Sequence, residues 1–117
     1  MPSPEAVSSA IARDLLAIHR DSYGRSAQDV QAHLIGDTVI VILEGLELLP
    51  NEEFLIKQGR ADAVGDLRES FQRAIEPTFR AAVERASGRR VVGFASHAQL
   101  EEEPRFAVEI FRLDPTG

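Results

Sequence analysis

Residues 33–45 read HLIGDTVIVILEG. The Gly36-Asp37 pair is the turn chemistry of a tight two-residue hairpin, in which glycine tolerates the positive φ required. Upstream, Val30 to Ile35 alternates, with Val30, Ala32 and Leu34 set against Gln31, His33 and Ile35. Downstream, Thr38 to Leu43 forms the return strand, ended by Glu44-Gly45, and its β-branched run favours a strand over a buried helix. A strand with one wet face alternates apolar and polar residues. Val39, Ile40, Val41, Ile42 and Leu43 do not alternate, so this strand needs cover on both faces.

The flanking sequence supplies helices. Ser3-Pro4-Glu5 opens the first one, with a capping hydroxyl, a proline suited to the first turn and an acid for the dipole. Val7, Ile11, Leu15 and Ile18 recur at helical spacing, and Gly24 is a candidate stop. His19 lies on a second partial row with Leu16 and reads as a helix-surface or capping histidine. After the hairpin, Pro50 begins a short helix over Asn51–Gln58, stopped by Gly59. A long helix is predicted from Ala61 to Ser87, with Val64, Leu67, Phe71, Ile75, Phe79, Ala82, Val83 and Ala86 as its core row. Pro77 removes one of its backbone hydrogen bonds and is expected to kink or split it. On the wet side, Glu69/Arg73 and Glu76/Arg80 are spaced for i,i+4 ion pairs.

Two further strands close the chain, Arg90 to Ser96 and Phe106 to Leu113, joined by the acidic Glu101-Glu102-Glu103-Pro104 loop. In the last strand Phe106, Val108 and Ile110 share one face; Ala107, Glu109 and Phe111 share the other. The order α-β-β-α-α-β-β makes an α+β domain, a four-stranded antiparallel sheet of two hairpins packed by the long helix. One domain spans 1–117, with an N-terminal helix over 1–23 and a core over 24–113. Either edge of each hairpin could join the other, so strand order stays open. The long helix covers one face of the sheet. On the return strand either Val39, Val41 and Leu43 or Ile40 and Ile42 must then point the other way. The first helix is one lid for that second face, and a second copy of the chain is the other. A homo-oligomer, with a dimer favoured, is the expectation, and these five residues are the predicted oligomer or second-face contacts.

Composition narrows the function. The chain has 117 residues, 13 Lys and Arg against 19 Asp and Glu, and a net charge of −6. That balance disfavours nucleic acid, whose phosphates would be repelled. The absence of cysteine removes disulfides, thiolate metal sites and Cys nucleophiles. No apolar run reaches the ~20 residues that span a bilayer, so no direct membrane insertion is expected. Pro4 and Glu5 stand where a signal peptide would carry positive charge, and a cytoplasmic protein is expected.

Catalysis is not expected. Ser96, His97 and Asp37 could be imagined as a triad, but adjacent strand residues point to opposite faces. His19, His33 and His97 show no paired metal-ligand spacing, and neither metal nor cofactor is anticipated. An anion could be held by Gly24, Arg25 and Ser26, where a helix end meets a strand. The bland reading of that loop is a glycine cap followed by a solvated arginine.

Several blocks together resemble the MpsC-like family: Gly24-Arg25, AHLIGDTVIVILEG, LLPNEEFL, Gly59-Arg60, EPTFRAAVERASGRRVVGFASHAQL and FAVEIFRL. The resemblance runs from about Gly24 to Leu113 and contains no catalytic motif. It implies a small soluble bacterial domain associated with a sodium-translocating, membrane-potential-generating system, beside membrane components for ion or inorganic-carbon uptake. A membrane transporter subunit is the partner this implies. The expected role is a non-catalytic accessory or adaptor protein; a small-molecule or anion-binding sensory module is the alternative. Departures from the family pattern fall at Ser26-Ala27, at Leu49, where a capping threonine is usual, and at His97-Ala98-Gln99, where Asp-Asn-His is usual. The last puts any family function of the Ser96–Leu100 tract in doubt.

Overall fold

The computed structural model describes residues 3–23 and 27–116. Seven elements follow in chain order: α1 (Pro4–Tyr23), β1 (Ala27–Ile35), β2 (Thr38–Leu46), α2 (Pro50–Lys57), α3 (Ala61–Ser87), β3 (Val91–Gln99) and β4 (Phe106–Leu113). The strands form one antiparallel sheet in the order β1-β2-β4-β3, so the hairpins join through β2 and β4, their apolar strands. The α+β architecture and element order are those expected from the sequence.

The first hairpin turns at Gly36, whose φ of 59° meets the glycine requirement. Its partner in the turn, Asp37, forms an ion pair with Arg89 and accepts the Leu113 N–H through its carbonyl at 2.7 Å. The turn is thereby tied to the start of the second hairpin. At the other end, β2 does not stop at Glu44-Gly45 as expected. Gly45, at φ 62°, carries the strand on to Leu46, and a Cβ there would meet Gln28 Oε1 at 2.8 Å. The altered backbone shifts the alternation, so Leu43 and Leu46 both enter one cluster with Ala27 and Ala107.

The choice between the two β2 rows is resolved. Val39, Val41 and Leu43 are at most 1% exposed and share the covered side with Phe111. Ile40 and Ile42 take the opposite face, beside Phe106, Val108 and Ile110, each half-buried. The first helix is not the lid for that second face. Val7, Ile11 and Leu15 of α1 pack into the same core as Ile75, Phe79, Ala82 and Val83 of α3, against Val39, Val41 and Phe111. Both helices therefore lie side by side on one face of the sheet.

Ser3 Oγ accepts the Ala6 N–H at 3.1 Å, the cap expected of α1. α3 runs unbroken through Pro77 and ends at Gly88 in the left-handed conformation. Leu49 cannot cap α2 with its side chain; instead Glu52 Oε1 accepts the Leu49 N–H at 2.8 Å. In β3 the register shifts between Val91 and Gly93, which leaves Val92 exposed.

Candidate functional site: a groove over the second hairpin

α3 closes tightly on the sheet along Ile75, Phe79 and Val83. Its N-terminal half stands away from the ends of β3 and β4, leaving a groove of about 340 Å³. Ser96, Ala107 and Glu109 form the floor, Arg68, Gln72 and Glu76 of α3 form one wall, and His19 and Tyr23 of α1 close the end.

Glu109 is the chemically unusual member. It occupies the central strand β4, paired with Val41 on one side and Ser96 on the other, and is 1% exposed. Its Oε2 has no hydrogen-bond partner among the described residues. Burial pushes its carboxyl up to about 7, against a smaller downward pull from the Ser96 hydroxyl. Nε2 of Gln72 is the other buried polar side-chain atom without a partner among the described residues, and it belongs to the same groove.

The end wall is a packed polar cluster. Arg68 clamps Glu52 with two hydrogen bonds of 2.7 Å and sets its guanidinium 4.5 Å from the centre of the Tyr23 ring. Tyr23 also packs on Phe71, with ring centres 4.0 Å apart, and on His19 at 4.6 Å. His19 is buried rather than on the helix surface as expected. Burial, aided by the Arg68 charge, lowers it to about 4, so it is neutral at pH 7. Burial raises the Tyr23 phenol to about 12.

The sequence-predicted candidates do not assemble. Gly24, Arg25 and Ser26 lie outside the described residues. Ser96 pairs with Glu109 and His97 with Val108, on alternate faces, while Asp37 sits with Arg89 at the opposite end of the sheet. His33 is exposed on β1, 3.4 Å from Gln31 Oε1. Sequence reasoning passed over Glu109, Gln72, Arg68 and Tyr23. Glu109 did leave a signal: it is the one charge on the face it shares with Ala107 and Phe111. No group of three or more His, Asp or Glu among the described residues is arranged to hold a metal ion.

Residues 4–114 match the family described as "Na+-translocating membrane potential-generating system (MpsC)". The chain belongs to the MpsC family. Neither a curated protein nor a solved structure matches it. In this MpsC chain no helix of the described residues is long and apolar enough to cross a membrane. The groove draws on α1, β2, α3, β3 and β4, all within the matched span.

Proposed function

We propose that this MpsC chain is a small non-catalytic accessory protein of a membrane ion-transport system. It works in the cytoplasm as an adaptor, and its first partner is a second copy of itself. The observation that carries this reading is the sheet face opposite the helices. Ile40, Ile42, Phe106, Val108 and Ile110 form a contiguous apolar patch across the two central strands. Each is already half-buried, so covering the rest is worth about 1 kcal/mol per side chain. Charge favours a two-fold arrangement. Asp29 and Glu44 stand at one end of this face and Arg112 at the other. Two copies packed face to face with strands reversed set each acidic end over a basic one. The family description supports the membrane-transport setting, in which the dimer is the unit that meets a transporter subunit.

Light scattering at micromolar concentration tests the pairing. The wild type is expected at twice the chain mass, and the double variant Ile40→Glu/Ile110→Glu at the single mass with its circular dichroism retained. A wild type that stays single at hundreds of micromolar overturns the pairing.

The groove supports a second reading, a small-molecule-binding module. Two buried polar atoms without protein partners are what an unfilled binding site presents.

A further inference from the structure

The lining of the groove specifies a ligand. Charges on its walls cancel in pairs: Arg68 with Glu52, Arg73 with Glu69, Arg80 with Glu76. His19 and Tyr23 are both neutral at pH 7. On β3, Ser96 faces Glu109 with a hydroxyl, and His97, paired with Val108, borders the groove at the sheet edge. Glu109 is the remaining carboxylate of the lining, −1 when ionised, and its Oε2 then only accepts hydrogen bonds. Gln72 Nε2 only donates. Around them stand Leu46, Phe94, Leu100 and Ala107, apolar walls that a hydrated inorganic ion does not use.

We propose that the groove binds a small organic monocation: an ammonium group seated on Glu109 Oε2, carried on a short apolar body with an oxygen that accepts from Gln72. The inference rests on the binding-module reading. A monocation cancels the buried charge, and an ammonium donates to an oxygen that has no other partner. The apolar body covers Phe94 and Leu100, and the ligand oxygen meets the second unmet atom. The volume admits such a molecule with room to spare. Protons compete with the ligand for Glu109, so affinity falls by about tenfold per pH step below neutrality while the amine itself stays charged.

The test is a titration of the full chain, followed by amide NMR shifts, with aminobutanol, butylamine, butanol, hydroxybutyrate and sodium chloride at pH 8 and pH 5.5. Aminobutanol is expected to shift Gln72, Ser96 and Ala107 to Glu109 at pH 8, with affinity at least tenfold weaker at pH 5.5. Glu109→Gln abolishes the shifts while melting no lower than wild type. Gln72→Met retains binding but erases the preference for aminobutanol over butylamine. Butanol or hydroxybutyrate binding as tightly as the amines overturns the cation and leaves the binding module standing. Sodium chloride displacing the amine at equal concentration, beyond a potassium chloride control, makes the occupant an inorganic ion and also overturns the proposal. No shift with any probe overturns the binding module as well.

Discussion

Glu52 and Glu109 are withdrawn from water to the same degree, 3% and 1% exposed, yet the fold treats them in opposite ways. Burial pushes the Glu52 carboxyl up, but two Arg68 hydrogen bonds, the Leu49 N–H and the Arg68 charge outweigh it. Its proton affinity ends below the ordinary carboxylate value. Glu109 lies deeper in the protein, has no opposing cation, and ends far above it. One carboxylate is a rivet, holding α2 to α3 beside Tyr23. The other keeps an unmet oxygen in a groove wide enough for a ligand. Burial alone therefore does not separate structure from function; the partner does.

The largest effect should come from breaking the rivet. Arg68→Ala strips Glu52 of its counter-charge while leaving it buried, at an expected cost of about 3–5 kcal/mol. Urea unfolding followed by circular dichroism reads this directly. Glu52→Gln/Arg68→Met replaces both charges and should recover most of the loss. If Arg68→Ala costs no more than a surface arginine, the contrast between the two carboxylates fails.

Glu109 should show the reverse, through pH. Its carboxyl rises from 4.5 unfolded to about 7 folded, so the native state holds the extra proton in that window. Its contribution to stability is full below 4.5 and is lost as pH climbs through 7. His19 falls from 6.5 to about 4, and its contribution is lost as pH drops through that range. Fully developed, each is worth about 3 kcal/mol, and over the shared window they oppose one another. Wild-type stability between pH 4.5 and 6.5 should be nearly flat. Glu109→Gln should unmask acid sensitivity and stabilise the chain at pH 8; His19→Gln should unmask the alkaline loss. Denaturation midpoints at half-unit pH steps check both, and a sloping wild type with unchanged variants refutes the pairing of these groups.

The elements were legible because they follow from local chemistry. Gly36-Asp37, Gly88, Pro50 and the α3 stripe each act within a few residues. Strand order was not, because joining through β2 and β4 depends on which apolar edges meet in space. The two rows of β2 posed a real ambiguity in one dimension; α1 and α3 sharing one face resolved it. The groove was less visible still. Glu109 left a signal that was passed over, the one charge on the face of Ala107 and Phe111, and Gln72 and Arg68 left none. Only the departure of α3 from the sheet brings Gln72 over the groove, and only α2 folding back gives Arg68 its partner. Arg68 and Arg73 look alike in sequence, each followed or preceded by acids on the same helix.

That likeness supplies the smallest and cleanest contrast. Arg73 also pairs with a glutamate, Glu69, but its side chain is 75% exposed against 10% for Arg68. Water already solvates both partners, so removing Arg73 leaves no stranded charge. Arg73→Ala should cost about 0.3–0.5 kcal/mol, and the difference should vanish in half-molar salt. The Arg68→Ala loss should survive the same salt, because ions do not reach a pair buried between two helices. If salt removes both losses alike, the Arg68–Glu52 contact is solvated and its status as a rivet is lost. If it removes neither, Arg73 has a second role that its exposed ion pair does not explain.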